Sequence, residues 1–133
     1  MGKITYRIES IDKRGFCALA DDVGNDIGQV CASVPGRRKA FAVFSTEIDA
    51  SYRKQGIATR LYEMAAAESC KRGMPLHSDV LRSEMIEPFW KKQKRKGRAR
   101  LVRYKRKVAG HEVTGDYYAL TCPAPPSLAW SRK

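Results

Sequence analysis

No apolar run in the chain approaches the ~18 residues that a membrane-spanning helix needs, and the opening MGKITYRIES has no apolar signal core. The reading is a chain with no membrane partner. Gly2 does not open a myristoylation site, because Tyr6 stands where serine or threonine is required. Histidine is scarce, with two in 133 residues. The four cysteines, Cys17, Cys31, Cys70 and Cys122, form no C-x-x-C and have no neighbouring histidine pair. No metal site is expected, and the cysteines read as buried, reduced thiols of a cytoplasmic protein. Neither G-x-x-x-x-G-K-[ST] nor G-x-G-x-x-G occurs, which excludes both common phosphate loops. No repeat is visible, and no helical periodicity appears before residue 56.

Acidic residues are also short, 14 against 26 Lys and Arg, for a net charge of +12. The imbalance is local. Residues 82–107 carry +10 of it, and the rest of the chain only +2. A basic region this concentrated points to an anionic partner. The length suits one domain with its own core, taken here as residues 1–122, followed by a Pro-containing flexible tail at 123–133.

Strand signals come first. Residues 4–11 alternate, and short apolar stretches follow at 16–20, 27–34 and 40–48, separated by Asp12-Lys13-Arg14-Gly15, residues 21–26 and Pro35-Gly36. The expectation is an antiparallel meander. A helix follows over residues 57–72, with Ile57, Ala58, Leu61, Tyr62, Met64 and Ala65 on one face and Glu68 placed to pair with Arg72. Gly73 and Pro75 end it. Residues 76–81 read as a fifth strand, parallel to the fourth across this crossover. A shorter helix is expected over 83–96, with Glu87 as its cap and Pro88 in its first turn. A strand with one wet, cationic face is expected over 99–108, and a last strand over 117–122.

The stretch from Phe41 to Gly73 organises the rest. A strand runs into Arg53-Lys54-Gln55-Gly56 and then into a helix. The first turn of a helix offers four backbone N–H groups without intrahelical acceptors, and the macrodipole adds about half a positive charge. A diphosphate fits there. Gly56 allows close approach of the backbone, while Arg53, Lys54 and Arg60 add mobile positive charge.

The pattern Arg53-x-x-Gly56-x-Ala58 resembles the coenzyme A signature Q/R-x-x-G-x-G/A of the GNAT superfamily of N-acetyltransferases. Downstream, Ser83-x-x-Ile86-x-x-Phe89-Trp90-Lys91-Lys92 is similar to that family's N-x-x-A-x-x-L-Y-E-K segment. The resemblance covers residues 41–92 and implies an α/β (α+β) fold with a mixed, mostly antiparallel GNAT-like sheet. It implies acetyl-CoA as co-substrate, held by Ile48, Arg53, Lys54, Gln55, Gly56, Ile57, Ala58, Thr59, Ser83, Phe89 and Trp90. It also implies that the fourth and fifth strands splay around the thioester. The family usually places one or two helices after its first strand. This chain shows none, so the N-terminal helical part is reduced and the acceptor cleft open, as a large acceptor needs.

The implied reaction is direct attack of a neutral amine on an acetyl thioester. A lysine of pKa ~10.4 is mostly protonated at neutral pH, a handicap of about 4.6 kcal/mol, against about 1 kcal/mol for an α-amino group. A lysine acceptor therefore needs a base. Glu47, His77 and Asp79 are the candidates, the last two sharing one strand face. The family's usual thiolate-protonating tyrosine is Trp90 here, and indole N–H cannot relay a proton. Tyr104 is the substitute acid. The expected partner is an amine acceptor on a protein or a nucleic acid, and the expected assembly a monomer or homodimer. Two alternatives stay open: a catalytically silent acyl-CoA-binding module, and a basic nucleic-acid-binding protein that stacks bases on Trp90 and Tyr104.

Overall fold

The structure is a computed structural model that describes residues 3–53, 55–78 and 86–122. Four strands open the chain: β1 (Ile4–Asp12), β2 (Gly15–Asp22), β3 (Asn25–Ser33) and β4 (Phe41–Ile48). They pair antiparallel in chain order, the first two connections being two-residue turns and the third the loop 34–40. At the first of these, the Asp12 carboxylate accepts the Arg14 N–H at 2.7 Å, the local bond that favours aspartate in turns. The expected meander is therefore present, with no helix after β1.

Helix α1 (Ile57–Lys71) follows a short 3-10 turn at Ala50–Tyr52. It buries Ile57, Leu61, Tyr62, Ala65 and Ser69 against the sheet, with Ala58 and Met64 packed beside them. At its end Arg72 donates to Glu68 at 2.7 Å and to the Asp12 carbonyl at 2.7 Å, and its guanidinium lies over the Phe16 ring. The i, i+4 pair read from the sequence thus also fastens α1 to the β1–β2 turn.

The chain then enters β5 (Leu76–His77), parallel to β4 at Phe41↔Leu76 and Ala42↔His77. The rest of the expected fifth strand, 79–81, lies outside the described residues, as do Ser83 and the tail. Helix α2 (Glu87–Arg95) begins later than the pattern predicted. Ile86, not Glu87, is its N-cap, and Glu87 is the first helical residue, where its charge suits the helix dipole. Strands β6 (Ala99–Val108) and β7 (His111–Leu120) form a ten-residue antiparallel ribbon. The sheet order is β1-β2-β3-β4-β5-β7-β6, mixed and mostly antiparallel. Strand β7 starts six residues before the reading placed it, because pairing with β6 overrides the loop character of the stretch around Gly115.

One core lies on one side of this sheet. Trp90 of α2 sits edge-on to Tyr62 of α1 and stacks on Tyr118 of β7, with ring centroids 5.8 Å apart in both contacts. No described helix covers the opposite face. The free-thiol expectation is overturned: the structure holds Cys17–Cys31 and Cys70–Cys122 as disulfides. Cys17 and Cys31 face each other across β2 and β3. The second bridge joins the end of α1 to the end of β7 across 52 residues of sequence. Spacing along the chain does not reveal such pairs, and with them goes the sequence argument for a reducing compartment. Among the described residues, no helix is long and apolar enough to cross a membrane.

Candidate active site

Strands β4 and β5 pair at Phe41↔Leu76 and Ala42↔His77, and residues 79–85, which follow on the β5 side, lie outside the described residues. On the side facing β5, β4 has no strand partner beyond Ala42 among the described residues. Phe44 is the extra residue of a β-bulge, since the register with β3 shifts between Cys31↔Ser45 and Ala32↔Val43. A bulge leaves one residue unpaired and bends its strand. Phe44 is 56% exposed there. Nothing in the alternation of the fourth strand announced it.

Beyond Ile48, at the end of β4 away from this pairing, the chain turns into α1. Asp49 accepts from Ser51 N–H at 3.0 Å and from its hydroxyl at 2.7 Å. These bonds hold the Asp49 carboxyl below its ordinary range. The Tyr52 hydroxyl donates to Asp22, which ties the loop to the end of β2 and raises the phenol. Arg53 donates Nε to the Ile48 carbonyl at 3.2 Å. Gly56 is the N-cap with φ +79°, a left-handed conformation that costs an L-residue about 1–2 kcal/mol. A Cβ there would meet nothing within 4 Å. Gly56 is thus required by backbone conformation rather than by crowding from its own chain. The first helical bond runs from Arg60 N–H to the Gly56 carbonyl, so the N–H groups before Arg60 have no intrahelical acceptor, and no acidic residue stands in the first turn.

The remaining expected coenzyme residues divide into two groups. Gln55, Gly56 and Thr59 are exposed and Ala58 half-buried around this helix start, with Arg53 exposed before it. Ile48 and Ile57 are buried beneath. Lys54 and Ser83 lie outside the described residues. Phe89 and Trp90 sit in the core, 7% and 0% exposed, and the buried Trp90 Nε1 has no hydrogen-bond partner among the described residues. Arg60 rests over the Tyr6 ring of β1, 5.6 Å from its centroid.

The candidate bases lie on the uncovered sheet face. Glu47 is exposed and accepts from Gln29 at 3.3 Å. With Leu19, Asp26, Gln29 and Asp49 it lines a shallow cleft of about 270 Å³. His77 is half-buried, and burial together with the charges of Arg38 and Arg100 lowers its pKa from 6.5 to about 4. Its Nδ1 has no hydrogen-bond partner among the described residues. Five residues of β4 separate Glu47 from the level of His77, roughly 15 Å, so these two do not act as one dyad. Asp79 lies outside the described residues. Tyr104 is on the ribbon, with its ring centroid 6.5 Å from that of Tyr117, which in turn lies 4.7 Å from His77.

A neutral, partly buried histidine makes stability depend on pH. Its folded pKa is below its unfolded one, so the unfolded state binds the proton first. The stability it contributes is complete above pH 6.5 and is lost as pH falls through about 4. His77→Gln should lose less melting temperature than wild type across that window, as measured by thermal melts. Parallel curves for the two proteins would contradict this.

An antiparallel meander, a parallel β4–β5 pair, a crossover helix between those two strands and a terminal antiparallel ribbon together define a known architecture. Similar solved structures include the IAA acetyltransferase from Bacillus cereus, 16% identical, with 87% of this chain and 99% of that one aligned at a TM-score of 0.59. The GNAT family acetyltransferase from Elizabethkingia anophelis with acetyl-CoA bound is 13% identical, covering 87% and 95% at 0.58. The GNAT acetyltransferase from Streptococcus pneumoniae is 17% identical, covering 82% and 68% at 0.59.

The chain has the GNAT fold.

No protein-family model matches the sequence, and no curated protein matches it either. The GNAT fold accounts for the parallel β4–β5 pair and for α1 as the crossover between them. It also shows what is reduced here, because β1 passes into β2 through a turn and leaves the cleft at Glu47 unroofed by any described helix.

Proposed function

We propose that the chain is an acetyl-CoA-dependent N-acetyltransferase that moves the acetyl group directly to an amine. One observation carries this reading: beyond Ala42 the β5-facing edge of β4 has no strand partner among the described residues, and it leads to the start of α1, where the N–H groups before Arg60 have no intrahelical acceptor. The segment from Ala42 to Ile48 is roughly 20 Å long. An extended pantetheine arm has two amides, and it suits a strand edge that lacks a partner. The N–H groups at the start of α1 suit the diphosphate, and Arg53 and Lys54 add charge beside them. Structural neighbours with acetyl-CoA bound support the same choice of co-substrate.

Acetyl-CoA, when bound, supplies the activated thioester. This chain's residues hold the two reactants and manage the protons. A C–N bond forms and the C–S bond breaks, while the amine gives up one proton and the departing thiolate gains one. Glu47 is exposed and lines the cleft that Asp26 and Asp49 make attractive to an ammonium group. It stands at the α1 end of β4, however, roughly 15 Å from the Ala42 level where the extended arm would leave the thioester. Its part is therefore to attract the acceptor rather than to take its proton. His77 stands at that level but is a weak base, since it holds a proton only below about pH 4. Its partner in the sequence reading, Asp79, stays a proposal. Tyr104 is separated from His77 of β5 by the Tyr117 ring, which makes water the simpler proton source for the thiolate.

Calorimetric titration with acetyl-CoA, followed by assay of free thiol release with amine acceptors, tests the reading. Binding together with release supports it, and absence of acetyl-CoA binding removes it. Binding without release on any amine favours the silent acyl-CoA-binding module.

The basic region should act on the acceptor rather than on the coenzyme. Lys94, Arg95 and Lys96 are exposed at the end of α2. Exposed charges act over about 8–10 Å at physiological salt. Replacing all three with glutamine should raise the acceptor KM several-fold and flatten its salt dependence, with the Kd for acetyl-CoA unchanged. Loss of acetyl-CoA binding with normal acceptor kinetics would reverse the assignment.

A further inference from the structure

The uncovered sheet face carries a row of rings at its β5–β7–β6 end. His77 of β5 lies 4.7 Å from Tyr117 of β7, and Tyr117 lies 6.5 Å from Tyr104 of β6, centroid to centroid. The register explains the row. His77 and Arg100 flank Ala119 on either side, Val102 pairs with Tyr117, and Tyr104 with Gly115. Alternation along β6 keeps Arg100, Tyr104 and Arg106 on one face. Arg38 places its guanidinium over the Tyr117 ring at 5.3 Å, and Arg106 over Tyr104 at 5.6 Å. All three arginines are exposed, and the three rings are half-buried.

Gly115 sets the posture of Tyr104. A Cβ at Gly115 would come within 2.4 Å of the Tyr104 hydroxyl oxygen and 2.6 Å of Cζ. With glycine there, the ring lies flat across the ribbon and turns its other face away from the strand. A long two-stranded ribbon with bare edges gains little stability from such a ring, but it gains a flat platform.

We propose that this face binds single-stranded nucleic acid, with Tyr104, Tyr117 and His77 stacking on bases and Arg38, Arg100 and Arg106 contacting phosphates. Rings and flat guanidinium groups in one row match a ligand that alternates π faces with single negative charges. A duplex offers the charge but keeps its bases in its own stack. An acidic polypeptide offers charge without rings and leaves the tyrosine row unused. The guanidinium groups that rest over Tyr117 and Tyr104 are no obstacle. An exposed cation–π contact is weaker than base stacking, so a base displaces the arginine, which is then free to meet the adjoining phosphate. Around this face the field is positive: residues 91–107 hold eleven Lys and Arg and no acidic residue. Such a field raises encounter rates with polyanions.

The proposal does not depend on acetyl transfer, and its test contains no acetyl-CoA. Fluorescence anisotropy of the full chain is read with labelled oligouridylate and oligothymidylate about twelve nucleotides long, with duplex RNA and poly-glutamate as competitors. Micromolar or tighter binding at low salt is expected. The pair Tyr104→Ala and Tyr117→Ala should weaken it by at least about tenfold, and the two phenylalanine substitutions should keep it. The pair Arg100→Gln and Arg106→Gln, at exposed positions that spare the fold, should flatten the slope of log K against log salt by about 1.4, as loss of two single-strand phosphate contacts requires. Four results would overturn the proposal: no binding, an unchanged salt slope in the arginine pair, equal competition by duplex, or equal competition by poly-glutamate. Full affinity in a folded alanine pair would overturn it as well, because it would leave only a phosphate patch.

Discussion

Gly56→Glu should weaken acetyl-CoA binding by at least about thirtyfold in a calorimetric titration while leaving the protein folded. The loss comes mainly from charge. A carboxylate about 5 Å from a doubly charged diphosphate opposes it by about 2 kcal/mol in a water-like dielectric, and by more as the site dries. The fold should tolerate the change for two reasons. A Cβ at Gly56 meets nothing within 4 Å. The left-handed φ of +79° costs about 1–2 kcal/mol, but a negative charge at the start of α1 returns about 0.3–1 kcal/mol through the helix dipole.

Gly56→Ala separates these effects. It carries the same backbone cost without the charge, so it should lower the melting temperature about as much as the glutamate but keep most of the affinity. Equal losses of affinity in the two variants would mean that loop conformation, not the anion site, controls binding. Wild-type affinity in Gly56→Glu would place the coenzyme elsewhere and remove the proposed activity.

What the sequence revealed and what it hid follow the range of the interactions involved. The meander, the crossover helix and the parallel β4–β5 pair were legible because alternation, the α1 periodicity and Gly73-x-Pro75 are local signals. The start of α1 was legible because a strand, a short basic turn and a helix occur there in immediate succession. The Phe44 bulge was not, since it exists only relative to β3. The disulfides were not, since Cys70 and Cys122 meet through the return of β7 to the end of α1. The expected single cationic face of residues 99–108 was also wrong. Beyond Leu101 and Val102 the ribbon leaves the core and exposes Arg103, Lys105, Arg106 and Lys107 on both of its faces. A strand pattern assigns alternate residues to two sides, but it does not say how far a strand extends past the body it packs on.

Trp90→Ala should produce the largest loss of stability of any single substitution considered, about 3–5 kcal/mol, or roughly 10–20 °C in melting temperature for a domain of this size. The indole is fully buried and touches Tyr62, Phe89 and Tyr118, so it joins α1, α2 and β7. Against a typical stability of about 5–15 kcal/mol, its removal leaves little margin. Trp90→Phe should behave differently. The smaller ring leaves a cavity worth about 1–2 kcal/mol. It also removes a buried Nε1–H that has no partner among the described residues, whose desolvation costs about 1–3 kcal/mol. The two terms nearly cancel, so the phenylalanine variant should melt within a few degrees of wild type. A loss as large as that of alanine would show that the indole N–H has a partner in solution. The comparison also bears on chemistry. A residue that can be exchanged for phenylalanine with its fold and its acetyl-CoA affinity intact is a structural joint between helix and sheet, and the proton for the departing thiolate then comes from solvent or from another side chain.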